Sequence, residues 1–425
     1  MSIGLFLLLS VSASSPSMPS NVVLLSVDTL RADYLGCYGC PYETSPNLDR
    51  LAEQSLVFED CVCEVPLTGP ACGSMLTSLY PRMTGTVRNG LRMAPSAPLV
   101  QEQLHASGYQ TYCVQSNWTL KADLSGLDRG FDTYDDDFHK KRWGIIKPER
   151  YADEVTDICL KLLSNRDPNR PFFLWAHYSD PHAPYRHHKD YDPMRRGTAL
   201  SKRTERTRAK YASEIAFTDH HIARLLDALP KKNTAIMFVA DHGESLYEHG
   251  YLGHGRRVHQ TCVHIPLMIY ASTVQAGRTK ASARGVDVAP TLLSLAGLSP
   301  LPGMLGRNLL DEEGGITTSR VIEAYGCAVP RGLGVENLMS RIAPQQQGVL
   351  QDGWKAIVAG SHVELYRLAD DPGEEHNLAE SMPERVAGLR EIIRNWTSKY
   401  PRGQALESAL SHDDRSALES LGYLK

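Results

Sequence analysis

Short apolar runs alternate with longer amphipathic stretches along residues 20–300. The amphipathic stretches, at residues 151–163 and 204–229, carry apolar side chains at helical spacing and predict helices with one buried face. Continuous apolar strands are typical of parallel sheets that are buried on both faces. The alternation therefore predicts an α/β fold in which a parallel sheet is covered by helices on both sides. The predicted buried strands are residues 22–27, 111–115, 172–176, 235–240 and 266–270.

The pattern changes after about residue 320, where short strand-like pieces replace the long buried runs. A helix is predicted over residues 383–396, because Pro383 stands in its first turn, a favoured place for proline. We therefore expect a catalytic domain at residues 20–320 and a small α+β subdomain at residues 321–425. The strand-like pieces are residues 321–324, 355–358 and 363–366, and the predicted joints are residues 300–303 and 312–315.

The N-terminus carries an apolar run at residues 3–11 that is too short to span a bilayer. Small residues follow at positions 11–13, so residues 1–19 are interpreted as a cleaved signal peptide and leader; a buried first strand is the alternative. We accordingly expect a secreted or periplasmic protein. No other segment has 18 consecutive apolar residues, so we expect no transmembrane anchor in the mature chain.

Composition says more about which partners the protein binds than about its fold. The net charge is −4 over 425 residues and no block of lysine and arginine occurs, which argues against a nucleic-acid partner. The nine cysteines are scattered along the chain, so buried structural thiols are favoured over a dense disulfide scaffold. Composition leaves the oligomeric state open.

Three predicted strands end in a side chain that is able to bind a metal ion. Asp28 follows the first strand, His177 follows the third, and Asp241 with His242 follows the fourth. The carboxyl ends of strands form the ligand site of open α/β sheets, so these residues are expected to converge. A single aspartate there would be read more simply as a turn or helix cap, but three strands together predict a metal site.

A glycine-rich segment with several histidines follows Asp241. It reads DHGESLYEHGYLGHG, and its glycines allow the backbone to fold tightly around a site. We interpret His249 as an incidental histidine of a mobile surface loop. His182 lies in the sequence DPHAPY, directly after the strand that ends near His177, and is a further candidate.

Four stretches of the chain, taken in order, resemble the sulfatase family of the alkaline phosphatase superfamily. The resemblance implies a three-layer α/β/α sandwich, a small C-terminal α+β subdomain, and a divalent metal at the strand ends. It also implies a hydrolase of sulfuric or phosphoric esters, with a small-molecule, glycan or lipid ester as substrate. The four stretches are NVVLLSVDTLRADYLGCYG, FFLWAHYSDPHAPY, VADHGE and ELYRLADDPGEEHNLA.

Matched position by position, the resemblance assigns candidate roles. The implied metal ligands are Asp28, Asp241 and His242. Asn89 and His182 fall where family members contact the substrate, and His254 falls where many carry a Lys or His that touches the substrate or leaving group. We further expect His177 to contact the substrate and His182 to take part in catalysis with His254.

The chain departs from the family pattern at the nucleophile. Family members carry a Cys or Ser, converted to formylglycine, in the motif C/S-x-P-S/A-R, whereas the matching stretch here reads TGPACGSMLT. Thr68 then stands at the nucleophile position, where it would also touch the metal, and Cys72 stands at the arginine. Thr29 replaces a second Asp ligand, and Asn117 and Thr119 replace a Lys and a His; we expect Asn117 to contact the substrate.

These departures change the expected chemistry. A threonine lacks the second hydroxyl of hydrated formylglycine, so water must break its covalent ester at sulfur or phosphorus, which suits phosphoryl transfer. The lost cations suggest a second metal, for which His177, His182 and His254 are candidate ligands. Mixed carboxylate and imidazole ligands favour zinc or manganese, with calcium as the remaining candidate.

Two alternatives stay open. The chain is also compatible with a phosphodiesterase or phosphoryl-group transferase of the same superfamily, although transferases of this type are often membrane-anchored. A non-catalytic binding protein that kept the fold is the second alternative. The retained Asp28, Asp241 and His242 argue against it.

Overall fold

The computed structural model describes residues 21–138, 149–194, 202–230, 232–311, 319–325 and 345–407, with residues 410, 415, 416 and 418. Residues 1–19, interpreted above as a signal peptide and leader, lie outside the described residues, as does the predicted joint at 312–315. None of the described helices is long and apolar enough to cross a membrane. Eight cysteines lie in the described part of the chain, and all eight are free thiols.

An eight-stranded sheet forms the centre of the large domain. Its spatial order is β8-β2-β7-β6-β1-β5-β3-β4. Strands β1, β5 and β6 are almost wholly buried, as expected for the middle of a sheet covered on both faces. The strands are β1 (Asn21–Val27), β2 (Leu56–Val62), β3 (Gln110–Val114), β4 (Thr133–Asp135), β5 (Phe172–Tyr178), β6 (Thr234–Ala240), β7 (Leu267–Tyr270) and β8 (Gly277–Arg284).

The sheet is mixed, which corrects the prediction of an all-parallel sheet. Strand β7 runs antiparallel to both of its neighbours, β6 and β2, while the other pairings are parallel. The apolar run at residues 266–270 was therefore predicted correctly as a strand but wrongly as parallel. Periodicity reports burial and not direction, and β7 returns beside β6 without the long crossover helix that a parallel neighbour needs.

Helices cover both faces of this sheet, so the expected three-layer α/β/α sandwich is confirmed. In one layer α5 packs against α1 and α4; in the other, α2, α3 and α6 pack together. The predicted helices at 151–163 and 204–229 correspond to α4 and α5. The helices are α1 (Pro46–Ala52), α2 (Thr68–Thr77), α3 (Val100–Ala106), α4 (Ala152–Asn165), α5 (Arg203–Ala228) and α6 (Val288–Leu295).

The C-terminal subdomain is a four-stranded antiparallel sheet that is covered by one helix. The sheet order is β9-β10-β11-β12, and α7 (Pro383–Lys399) packs on it through a separate apolar core that includes Val349, Leu365 and Leu389. The predicted helix at 383–396 is thus confirmed and extends by three residues. The strands are β9 (Ser319–Ala324), β10 (Gln346–Gln351), β11 (Trp354–Ala359) and β12 (His362–Arg367).

Ion pairs fix this subdomain to the large domain. Arg82 lies 3.2 Å from Glu323 of β9, and both side chains are buried. Arg320 makes a bidentate contact with Asp60 of β2, at 2.7 and 2.6 Å. Such paired hydrogen bonds to charged groups define an orientation as well as an attraction. The subdomain is therefore held in one position relative to the sheet that carries the candidate site.

Candidate active site and metal centre

The carboxyl ends of three adjacent strands bring the predicted ligands together. Strand β1 lies between β5 and β6, and its register pairs Ser26 with His177 and Val27 with Ala240. Asp28 therefore leaves β1 at the same level at which Asp241 leaves β6. The convergence expected for an open α/β sheet is present.

Three ligand atoms converge at this point. His242 Nε2 lies 3.6 Å from Asp28 Oδ1 and 3.5 Å from Asp241 Oδ2, and the three side chains are fully buried. Neither of these two carboxylate oxygens has a hydrogen-bond partner within the described part of the protein. Two buried, adjacent carboxylates with unpaired oxygens are costly without a compensating cation. The donor set therefore fits a divalent metal.

Hydrogen bonds fix how these ligands are presented. His242 Nδ1 lies 2.9 Å from the carbonyl of Gly243, to which it donates, so Nε2 carries the free lone pair. Asp241 Oδ1 accepts from the backbone N–H groups of His242 at 2.7 Å and Thr29 at 3.2 Å. Thr29 has φ +57°, an unusual conformation for a β-branched residue, and such strain clusters at functional sites.

The electrostatics agree with a cation site. Burial, followed by the nearby charge of Asp28, raises the pKa of Asp241 well above its usual range. Burial, followed by the neighbouring His254, lowers the pKa of His242 to about 3 and keeps its imidazole neutral. A neutral imidazole is the form that binds metals.

Thr68 is the first residue of α2 and points into the same site. Its buried Oγ1 lies 3.3 Å from His242 Nε2 and so stands beside the candidate metal ligands. A helix N-terminus favours nearby negative charge, because its first N–H groups lack partners within the helix. Asn89 Oδ1 accepts from the Gly69 N–H at 2.8 Å, which leaves the buried Asn89 Nδ2 as a donor without a partner among the described atoms.

Asn117, which we expected to contact the substrate, is hydrogen-bonded within the protein at both ends of its amide. Its Nδ2 donates to Asp28 Oδ2 at 2.5 Å. Its Oδ1 accepts from the Thr119 backbone N–H at 2.9 Å and from Thr119 Oγ1 at 2.8 Å. This arrangement supports a role in positioning Asp28.

His182, His254 and Glu244 form a group beside the candidate metal ligands, in which Glu244 is fully buried and the two histidines are half-buried. The His254 ring lies 4.5 Å from that of His242 and 5.1 Å from that of His182, between centroids. Glu244 Oε1 lies 3.1 Å from His254 Nδ1, and Glu244 Oε2 accepts from the Tyr185 hydroxyl at 3.0 Å. The buried His182 Nδ1 has no partner among the described atoms.

Glu244 was missed by sequence reasoning, although it stands two residues after His242. Burial raises its pKa to about 7, against the opposing effect of His182. Burial, followed by His182, also lowers the pKa of His254 to about 3. The sequence signal was a carboxylate next to the Asp-His pair, which has no distinctive spacing of its own.

Two expectations about the other histidines need correction. The described groups whose ligand atoms lie within 4.8 Å of one another do not include the trio His177, His182 and His254 that was expected to hold a second metal. His249 is not an incidental histidine of a free loop, because its ring stacks on His259 with centroids 4.0 Å apart. Sequence spacing does not reveal such contacts, which depend on how the loop folds back.

His177 is held from one side and open on the other. Its Nδ1 is hydrogen-bonded to Ser26 Oγ at 2.8 Å, and Ser26 Oγ accepts from Trp175 Nε1 at 2.8 Å. Its Nε2 is buried and has no partner among the described atoms. Burial, followed by His182, lowers the pKa of His177 to about 3. The imidazole is therefore neutral, with one unused nitrogen inside the site.

An α/β/α sandwich with acidic and imidazole ligands at its strand ends is typical of the alkaline phosphatase-like hydrolases. The model of the Sulfatase family matches residues 20–298, so the chain belongs to the sulfatase family and is a hydrolase that acts on sulfate esters. It is 23% identical to an N-acetylglucosamine-6-O-sulfatase of Bacteroides thetaiotaomicron, over 94% of this chain and 90% of the relative.

Solved structures agree on the fold. One, described in complex with its substrate D-glucosamine-2-N,6-O-disulfate, has a TM-score of 0.73 at 20% identity and covers 90% of this chain and 98% of its own. A phosphonate monoester hydrolase of Agrobacterium radiobacter has a TM-score of 0.73 at 19% identity, covering 90% of this chain and 96% of its own. At these identities the likeness establishes the architecture alone.

Proposed function

We propose that this chain is a metal-dependent ester hydrolase in which Thr68 is the nucleophile and Asp28, Asp241 and His242 hold a divalent metal. The observation that carries the proposal is the position of Thr68 Oγ1. It lies at a helix N-terminus, 3.3 Å from His242 Nε2 and beside two carboxylates with unpaired oxygens. A metal bound there would supply charge stabilisation and lower the pKa of the hydroxyl.

The residues of the chain support a two-step displacement. In the first step the Thr68 hydroxyl gives its proton to water, helped by the lower pKa that a bound metal would give it, and Oγ1 bonds to sulfur or phosphorus while the bond to the leaving alkoxide oxygen breaks. The proton for that oxygen comes from Glu244, whose pKa burial raises to about 7: its Oε1 lies 3.1 Å from His254 Nδ1, so a proton enters His254 at Nδ1 as the Nε2 proton passes to the leaving oxygen. In the second step water attacks the same sulfur or phosphorus, which releases the Thr68 hydroxyl and the inorganic anion.

The anion is held by groups that the protein already orients. Asn89 Nδ2 and His182 Nδ1 are buried and have no partner among the described atoms, so each has hydrogen-bonding capacity left for a substrate oxygen. The first backbone N–H groups of α2 add positive electrostatic potential at the site, because α2 begins at Thr68. We propose that these groups together bind a tetrahedral oxyanion.

Besides the sulfate esters on which the family acts, we propose phosphoesters as substrates on chemical grounds. A threonine ester lacks the carbonyl-forming exit of formylglycine, so the second step must be a displacement by water at the central atom. The similar proteins include enzymes named for sulfur and for phosphorus substrates: one is named an N-acetylglucosamine-6-O-sulfatase and another a phosphonate monoester hydrolase. A glycan or small-molecule monoester is the substrate class that we assign.

A paired assay on purified protein tests the proposal. Nitrophenyl sulfate, nitrophenyl phosphate and bis-nitrophenyl phosphate are compared with added zinc, manganese or calcium, using Thr68→Ala as the test variant and Thr68→Ser as the matched control. We expect phosphoester turnover that is lost in Thr68→Ala and retained in Thr68→Ser. Full activity of the Thr68→Ala variant would refute the assignment of Thr68 as the nucleophile.

The two alternatives give different outcomes in the same assay. A transferase would release nitrophenol much faster when an alcohol acceptor is added and would form little free phosphate. A binding protein that lost catalysis would turn over none of the three esters and would hold metal weakly. The two unpaired carboxylate oxygens of Asp28 and Asp241 favour the hydrolase over the binding protein.

A further inference from the structure

A second group of ligand atoms lies against the first and has no part in the proposed metal site apart from Asp241. Cys72, His177 and Asp241 each offer one ligand atom, and the three atoms lie within 4.8 Å of one another. All three side chains are completely buried. The group brings together α2, β5 and the end of β6.

Local structure aims these side chains at one point. Cys72 lies one helical turn after Thr68 in α2, so the two side chains share a face of the helix. His177 is fixed through Nδ1 by Ser26, so only its unpartnered Nε2 is available. Asp241 is fixed through Oδ1 by two backbone N–H groups, and its Oδ2 is unpartnered among the described atoms.

The geometry points to a second metal site, formed by Cys72, His177 and Asp241, that shares Asp241 with the first and takes a zinc-type ion. The inference rests on the proposed function in that the first metal also uses Asp241. Zinc bonds of about 2.0–2.3 Å place tetrahedral ligand atoms roughly 3.5 Å apart, so small side-chain adjustments suffice from the observed spacing. Thiolate and imidazole together select zinc over calcium or magnesium.

The unpartnered Nε2 of His177 is the observation that favours a metal site over a purely structural role for the Cys72 thiol. A buried cysteine packs well as a small apolar group and needs no ligand. His177 Nε2 is a buried imidazole nitrogen that lacks a partner among the described atoms, which carries a desolvation cost. An ion bound between it, Cys72 and Asp241 would remove that cost.

Charge supports the same conclusion. Cys72 stands at the position at which the sulfatase motif has an arginine, so the chain lacks that positive charge beside Thr68. A divalent ion bound by one thiolate restores a net charge of about +1 at this place. Two ions sharing one carboxylate would bracket the substrate anion, in the manner of two-metal phosphoesterases.

Metal stoichiometry and a spectroscopic signature test the site together. Chelator-treated protein is reconstituted with zinc for metal analysis and, separately, titrated with cobalt(II), whose thiolate complexes absorb strongly in the near ultraviolet. We expect two zinc ions per chain and a thiolate-to-cobalt band. In Cys72→Ala one ion and the band should be lost, and in His177→Ala the second ion should bind at least about tenfold more weakly.

Cys159→Ala is the matched control, because Cys159 is also a fully buried cysteine but lies in α4, outside every described ligand group. It should keep both ions and the band. If Cys72→Ala fails to fold, Cys72→Ser and the natural chain still decide the question. One ion per chain without a thiolate band in the natural protein would overturn the inference, as would a band that survives in Cys72→Ala.

Failure of this inference is distinguishable from failure of the proposed function. One ion, no thiolate band and phosphoester turnover that depends on Thr68 would reject the second site and keep the hydrolase. Two ions with a thiolate band but full turnover in Thr68→Ala would keep the site and reject the nucleophile.

Discussion

Removing the Asn117 amide tests whether this residue positions the metal ligand or contacts the substrate. Asn117 Nδ2 donates to Asp28 Oδ2 at 2.5 Å, and Thr119 occupies the other end of the amide. In Asn117→Ala both oxygens of the buried Asp28 would lack a protein partner, and the carboxylate would be free to turn away from His242. We therefore expect weaker metal binding rather than weaker substrate binding.

The magnitude follows from the single hydrogen bond that the substitution removes. Loss of a residue that orients a metal ligand typically weakens metal binding by about 10–100-fold, which corresponds to about 1.4–2.7 kcal/mol. Asn117 makes one hydrogen bond to Asp28, and Asp241 with His242 would remain in place. We expect metal binding in Asn117→Ala to weaken by an amount in the lower half of that range. Most of the activity should return at saturating metal.

The assay measures the metal dissociation constant and the KM separately, with Asn89→Ala as the contrasting variant. Asn89 bonds to the Gly69 backbone and not to a metal ligand, and its Nδ2 has no partner among the described atoms, so its loss should raise the KM at unchanged metal affinity. If Asn117→Ala raises the KM and leaves the metal dissociation constant unchanged, the positioning role is wrong and the substrate-binding expectation is right.

Three further outcomes follow from the structure. His254→Ala should lower kcat by about 10²-fold or more at unchanged metal content, measured by steady-state kinetics and metal analysis. Glu374→Gln should lower the free energy of unfolding by about 3 kcal/mol in denaturant titration, because the fully buried Lys355 ammonium loses the carboxylate that it contacts at 2.6 Å. A loss under about 1 kcal/mol would contradict this. Burial raises the pKa of Glu64 to about 7 from 4.5, so the folded chain binds a proton that the unfolded chain has released, and stability falls as pH rises through this window. Glu64→Gln should therefore gain stability over the natural chain across that window and show no advantage below it, as measured by unfolding at several pH values.

In the eight-stranded sheet, the strands that the sequence predicted are the most deeply buried ones. Strands β1, β3, β5, β6 and β7 appear as continuous apolar runs and agree with the prediction within two residues at each end. The edge strand β8, GRTKASAR, is polar and was missed, as was β2, whose sequence contains Glu59, Asp60 and Cys61. An edge strand needs few apolar residues, because one side faces solvent or loops.

The candidate site was predictable where the ligand directly follows a buried strand. Asp28 and Asp241 leave adjacent parallel strands, so topology alone brings them together. The role of Ser26 could not be predicted, because Ser26 lies inside an apolar run and its contact with His177 joins two different strands. The proximity of Cys72 to His177 required the packing of α2 over the strand ends, which no spacing in the sequence encodes.

The most direct test of the central claim is detection of the covalent intermediate on Thr68. The protein is mixed with nitrophenyl phosphate, quenched in acid within the first turnover, digested and analysed by mass spectrometry, with Thr68→Ala as the control. The account predicts a phosphorylated peptide that contains Thr68, forms before steady state and is absent from the variant. Turnover with an unmodified Thr68 peptide at every time point, or with the phosphate on another residue, would contradict it.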